Sequence, residues 1–150
     1  MRAVIQRVSK ASVSVNDQVV GEIENGLVVL IAVEANDSTK DLEYMKRKII
    51  GLRIFNDENG KINLSIQDIS GEILLISQFT LYGDCRKGNR PSFIRSASPA
   101  AAEKTYLRLA ETIQNEGIRV ATGIFQAMMK VALVNDGPVT VIVDSNKTFY

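Results

Sequence analysis

From Val131 to Ser145 the chain reads VALVNDGPVTVIVDS, two runs of β-branched residues interrupted at Asn135-Asp136-Gly137-Pro138. Val, Ile and Thr at this density belong in strands, because their stiff side chains pack well on a pleated surface. Asn-Asp-Gly alone would turn a hairpin. Pro138 complicates that turn, since it donates no backbone hydrogen bond and restricts the residue before it. Two arrangements meet the constraint. One is a trans Gly-Pro bond at a strand start or bulge, which local rules favour because only about 5–6% of such bonds are cis in folded proteins. The other is a cis turn whose carbonyls face outward in parallel. Those carbonyls could accept hydrogen bonds from an ammonium group without any ionisable side chain.

The rest of the chain supplies neighbours for these strands. Arg2 to Val15 reads as a strand with room for a bulge, and Asn16-Asp17-Gln18 turns it into Val19–Ile23. Asn25-Gly26 turns again into the apolar run LVVLIAV, so the chain opens as an antiparallel meander. Ser38 and Asp41 form a capping pattern ahead of Leu42, Met45, Ile49 and Leu52, which predicts a helix over 38–53. After the turn NDENG, Glu72 to Leu81 reads as a strongly apolar strand. Ser98-Pro99 opens a second helix striped by Ala102, Tyr106, Leu109 and Ile113 and ended by Gly117. IRVAT, FQAMMKVALV and VTVIVDS are read as the closing strands. The order predicts an α+β fold with mainly antiparallel pairing, in one domain over 1–150. The tail NKTFY is expected to fray or to dock on a partner.

Composition removes most catalytic equipment. With no histidine among 150 residues, a Ser-His-Asp triad, a Cys-His pair and a histidine metal site are all excluded. The single cysteine, Cys85, makes neither an internal disulfide nor a thiolate zinc site within one chain. Neither glycine-rich phosphate-binding fingerprint occurs. The expectation is therefore no metal and no cofactor. No apolar stretch approaches the ~20 residues that cross a bilayer, so a cytoplasmic protein with no membrane partner is expected. A net charge of +1 means that any nucleic-acid contact must come from a local patch.

Two further stretches could carry chemistry. Ser77-Gln78-Phe79-Thr80 ends the most apolar strand, where alternation sends Ser77 and Phe79 to one face and Gln78 and Thr80 to the other. Either the strand is running out into solvent, or these groups line a pocket that holds a carbonyl or oxyanion. The loop DCRKGNRPSFIR carries Arg86, Lys87, Arg90 and Arg95 against Asp84. It is either a solvated surface loop or a phosphate-gripping one with Phe93 available to stack on a base. Cys85 lies among these cations but lacks a histidine to activate it.

SQFTLYGD, NRPSF and LVNDGPVT occur in this order in one chain, together with MRAVIQRV and ASVSV. On those motifs the sequence closely resembles the D-aminoacyl-tRNA deacylases, also called D-tyrosyl-tRNA deacylases, over essentially its whole length. The resemblance implies a homodimer with barrel-like antiparallel sheets, two principal helices and active sites at the dimer interface. It implies hydrolysis of the ester in a tRNA whose 3′-terminal adenosine carries a D-amino acid or glycine. It assigns Gly137 and Pro138 to a cis turn that reaches into the partner's site, fixes the α-amino group and excludes an L side chain. Ser77, Gln78, Phe79 and Thr80 would surround the adenosine and the ester. Thr80 would then be a nucleophile, or the tRNA 2′-OH and backbone donors would do the work. The second account suits this chain better, because a threonine hydroxyl needs an activating base and no histidine exists to supply one. Arg7 resembles a support of the Gly-Pro turn, and Phe125 and Met129 resemble pocket-wall residues whose alternative is plain sheet core. Gln126 stands where family members usually carry a small residue. Arg86, Lys87 and Arg90 would contact the tRNA. A non-catalytic RNA-end binding module and a small-ester hydrolase are the competing readings.

Overall fold

Strand β1 (Arg2–Val15) is the spine of the molecule, because three other strands pair with it. Along one edge, residues 2–8 pair antiparallel with β3 (Gly26–Ala32), and residues 11–15 with β2 (Gln18–Ile23). Its other edge carries β8 (Lys130–Asp144), also antiparallel. Strand β6 (Glu72–Ser77) adds to β3, and β7 (Val120–Thr122) adds to β6. Both of these pairings are parallel, whereas those of β1 with β2, β3 and β8 are antiparallel, which agrees with the mainly antiparallel expectation. The reason is connectivity. The links from β3 to β6 and from β6 to β7 contain the helices α1 (Thr39–Gly51) and α2 (Pro99–Gln114), and such crossovers return the chain in the same direction. β4 (Phe55–Asn56) and β5 (Ile62–Leu64) form a small hairpin around the NDENG turn. The computed structural model describes residues 1–148; Phe149 and Tyr150, the end of the tail, lie outside the described residues.

The sheet curls until β2 approaches β7. A Cβ on Gly21 would lie 2.6 Å from the Thr122 carbonyl oxygen, and Arg119 Nη1 donates to Glu22 O at 3.2 Å. The result is a nearly closed, barrel-like α+β fold with two principal helices, as expected. Strand periodicity splits the core in two. Leu27, Val29, Ile31, Ile73 and Leu75 pack with Leu42, Met45, Ile49, Tyr106, Leu109 and Ile113 of the helices. Val28, Leu74 and Ile76 turn inward to meet Val8, Ala11, Val13 and Ile23. β3 and β6 are thus covered on both faces, which explains why they read as unbroken apolar runs. Each such buried side chain contributes about 1.5–3 kcal/mol.

β1 changes the face it buries partway along. Ala3 and Ile5 join the helical cluster, whereas Ala11 and Val13, of the same parity, join the inner one. The register with β8 shifts between Gln6 and Val8 and again between Val8 and Lys10, and these irregularities make the switch. Helix α1 begins as expected, with Ser38 N donating to Asp41 Oδ2 at 2.8 Å. Pro99 occupies the first turn of α2. No helix among the described residues is long and apolar enough to cross a membrane.

Candidate active site

The strand read as Glu72–Leu81 stops at Ser77, because β3 ends at Ala32 and β7 reaches no further than Thr122, opposite Leu75. Gln78 N makes the last bond to the sheet, to Ile31 O at 2.7 Å. Beyond it no ladder remains, so the backbone satisfies itself in a 3₁₀ turn, Phe79–Tyr82. Leu81 N donates to Gln78 O at 3.2 Å and Gly83 N to Thr80 O at 2.9 Å. The expected alternation of Ser77 and Phe79 against Gln78 and Thr80 therefore fails. Instead, Gln78 Nε2 donates to Thr80 Oγ1. Phe79 stands 54% exposed, edge-on to Phe93 with ring centroids 5.1 Å apart. Ser96 Oγ donates to Phe79 O at 3.3 Å. Among the described residues no base is hydrogen-bonded to Thr80; its side-chain partner is an amide.

The Gly137–Pro138 peptide bond is cis, and both residues are exposed. The strand read as two pieces is one element, β8, which runs through the motif. Side chains replace the interrupted ladder. Asn135 Nδ2 donates to Arg7 O at 2.9 Å and to Val139 O at 3.0 Å, bridging the bulge. Arg7, whose side chain is 8% exposed, braces the turn from behind. Its Nη1 donates to Ile54 O at 2.8 Å and to Asn56 Oδ1 at 3.2 Å. Its Nε donates to Asp136 O at 3.2 Å and lies 3.1 Å from Asp136 Oδ2. Gly137 has φ of +116°, and a Cβ there would sit 2.7 Å from Arg7 Nη2.

One chain does not bring the two motifs together. Gln78 is level with Ala3 through Ile31, whereas the Gly-Pro turn is level with Arg7, roughly 13 Å further along β1. They are also three strands apart in the order β8-β1-β3-β6, roughly 14 Å across.

Phe125 and Met129 are not on the strand expected of them. Ala127 N donates to Ile124 O and Gln126 has φ of +61°, so this segment is a turn and β8 starts only at Lys130. Phe125 packs with the helical cluster, 6.0 Å from Tyr106, while Met129 packs against the inner cluster. The Tyr106 hydroxyl donates to Leu75 O at 2.7 Å, and burial pushes its pKa up to about 12.

The basic loop is pinched by paired hydrogen bonds between Asp84 and Ser92, at 2.8 and 3.0 Å, with Gly88 at φ of +87° near its tip. Two of its cations are engaged. Arg86 pairs with Asp84 at 2.6 Å and holds that carboxyl well below the usual range, and Arg95 pairs with Glu34 at 2.7 Å. Lys87 and Arg90 are exposed and form no ion pair among the described residues. Cys85 is exposed and free. A surface cleft of about 770 Å³, lined by Lys40, Tyr44, Arg47 and Glu116 among others, shares no residue with either motif. Asn135 and Arg2, whose Nη1 donates to Leu81 O at 2.8 Å, escaped the sequence reading as supporting residues. Asn135 reads there as an ordinary turn residue.

Comparison with known proteins places this arrangement. The sequence profile of the family described as D-Tyr-tRNA(Tyr) deacylase matches residues 4–144. A D-aminoacyl-tRNA deacylase of Thermosipho africanus is 57% identical over 149 residues, covering 99% of this chain and 100% of that protein. One from Desulfotalea psychrophila is 55% identical over the same length and coverage. A solved chain named c-Myc DNA Unwinding Element Binding Protein is similar at TM-score 0.91 and 40% identity, covering 96% of this chain and 98% of its own. A probable eukaryotic D-amino acid tRNA deacylase has the same fold, at TM-score 0.81 and 20% identity, over 95% of this chain and 97% of its own. With a profile matched from the first strand to the last and identities above half along the entire length, the chain belongs to the D-aminoacyl-tRNA deacylase family.

Proposed function

We propose that this chain hydrolyses the ester joining a D-amino acid, or glycine on a non-cognate tRNA, to the 3′-terminal adenosine of tRNA, and leaves L-aminoacyl-tRNA intact. The whole-chain match to D-aminoacyl-tRNA deacylases, which are hydrolases acting on ester bonds, carries this reading. Chiral rejection needs a stiff group beside the substrate Cα. The exposed Gly137–Pro138 turn, braced by Arg7 and bridged by Asn135, supports that role. Its carbonyls would accept hydrogen bonds from the α-ammonium, so selection depends on no titrating side chain.

The separation of the two motifs within a chain supports a pair of copies, in which the Gly137–Pro138 turn of one serves the Ser77–Thr80 turn of the other. Val131, Val134 and Ile142 of β8 are exposed and offer apolar contact area for that pairing. In the reaction the acyl–oxygen bond breaks, water oxygen joins the acyl carbon, and a proton goes to the ribose 3′-oxygen. Thr80 is bonded to an amide that takes up no proton at neutral pH, so the work falls to the neighbouring 2′-OH of the tRNA and to backbone N–H groups. Such donors contribute about 2.7–4 kcal/mol each at a developing oxyanion. Phe79 offers a face for the adenine, and Phe125 and Met129 stand as apolar walls. Gln78, whose carbonyl accepts from Leu81 N, closes the turn beneath the ester, and Ser77 precedes it at the end of β6.

D-Tyr-tRNA and L-Tyr-tRNA incubated with the protein test the reading: free tyrosine is expected from the first alone. Equal release from both, or from neither, would overturn it, and salt-dependent binding without release would favour an RNA-end binding module. For Thr80→Ala, kcat/KM on D-Tyr-tRNA is expected within about threefold of the native value. A loss of about 10³-fold would restore the threonine nucleophile.

The loop cations divide by the same logic. Lys87→Ala and Arg90→Ala are each expected to flatten the slope of log KM against log salt by about 0.7–0.9, as one phosphate contact does. Arg86→Ala is expected to change it less, because Asp84 already occupies that guanidinium. Titrating salt against KM for the three variants measures this.

A further inference from the structure

The Phe79–Tyr82 turn lies off the sheet and is closed by two hydrogen bonds of its own, so something else must orient it. Phe79 and Thr80 are exposed and Leu81 is half-buried; Tyr82 alone of the four is buried, at 2% exposure. Its ring is the point to which two guanidiniums converge. Arg2 lies 4.7 Å and Arg95 5.4 Å from the ring centroid. Each guanidinium is held in turn by a carboxylate, Arg2 by Asp144 at 3.3 Å and Arg95 by Glu34 at 2.7 Å. Arg2 also donates to Leu81 O, in the turn itself. On the far leg of the basic loop, Arg95 O accepts from Ala35 N at 3.1 Å, and Ser96, the next residue, donates to Phe79 O. The hydroxyl of Tyr82 has no hydrogen-bond partner among the described residues. Burial, then the nearby Asp37, Glu34 and Asp144, push its pKa above the ordinary value, so the ring acts as a neutral aromatic face. An aromatic face attracts guanidinium most strongly when both are withdrawn from water, as they are for Tyr82 and Arg2, whose side chain is 14% exposed; Arg95, at 44%, adds a weaker contact from the solvent side.

We infer that Tyr82 is a positioning residue for deacylation: its ring, gripped by Arg2 and Arg95, sets the orientation of the turn that presents Gln78, Phe79 and Thr80. The inference rests on the deacylase reading above and extends it to a residue that touches no substrate. What matters is the face and not the hydroxyl, which separates this role from hydrogen bonding or acid–base chemistry.

The test measures kcat and KM on D-Tyr-tRNA for Tyr82→Leu, Tyr82→Phe, Arg95→Met and the native protein, well below each melting temperature. Tyr82→Leu is expected to lower kcat about tenfold or more with KM within about twofold, because misplacement of reacting groups acts on the transition state. Tyr82→Phe is expected to restore kcat to within about twofold of native. A folded Tyr82→Leu with native kcat, a change confined to KM, or a Tyr82→Phe as impaired as Tyr82→Leu would overturn the inference. Should Tyr82→Leu fail to fold, Arg95→Met decides: a fall in kcat of about threefold or more supports the grip, and an unchanged kcat overturns it. A native protein inactive on D-Tyr-tRNA would instead defeat the deacylase reading itself.

Discussion

Replacing Gly137 with alanine is expected to lower kcat/KM on D-Tyr-tRNA by about 100-fold or more. The φ of +116° is one that L side chains rarely adopt. An alanine there costs on the order of 1–3 kcal/mol in backbone strain. The added Cβ would also sit 2.7 Å from Arg7 Nη2 and 2.9 Å from Val139 Cγ2. Arg7 has little room to yield, because Ile54 O and Asn56 Oδ1 hold its other nitrogen. The turn must therefore move, and shifts of about 1 Å in a positioning element are enough for the predicted loss. Steady-state kinetics on both chiralities, with a thermal melt as control, makes the measurement. A folded Gly137→Ala with native rate and native rejection of L-Tyr-tRNA would remove this turn from the mechanism.

Arg7→Ala is expected to be the most destabilising single change at the site, about 3 kcal/mol, since hydrogen bonds to a charged group contribute about 1.5–3 kcal/mol each and neighbours are left unpaired. The Asp136 carboxylate is 56% exposed and returns to water at small cost. The Ile54 carbonyl is the expensive partner, because its bond to Arg7 is buried. The expected displacement of the urea midpoint is about 1–2 M. Arg7→Lys should recover less than half of it, because a single ammonium does not reach the Ile54 and Asp136 carbonyls together as the guanidinium fork does. A midpoint within about 0.3 M of native for Arg7→Ala would refute the bracing role.

Local pattern carried far in this chain wherever an element depends mostly on itself. The capping box at Ser38 and Asp41 and Pro99 at the start of α2 are where the residues put them, whereas the hairpin expected at Asn25-Gly26 does not form: β2 and β3 follow one another along the same edge of β1 and do not pair with each other. It fell short wherever a distant neighbour decides. Nothing in GEILLISQFTLYG says that β3 and β7 are too short to pair with Phe79–Leu81, so alternation extended the strand beyond its ladder. Likewise FQAMMKVALV has strand composition, yet Gln126 at positive φ and the turn closed by Ala127 hold its first half off the sheet. The supports of the site are long-range by nature. Arg7 reaches Ile54 and Asp136, and Arg2 reaches Leu81 and Asp144, separations that no window of sequence displays.

β1 thereby acquires a metric role. Arg2 near one end steadies the Phe79–Tyr82 turn, and Arg7 steadies the Gly137–Pro138 turn. The rise of the strand between them, roughly 16 Å for five residues, is a ruler held rigid by neighbours on both edges. Inserting or deleting a single residue between Ala3 and Gln6 would reset that length and flip one arginine to the opposite face. The NDENG turn carries no such calibration, so tolerance to changes in length should be concentrated there and absent from the first strand.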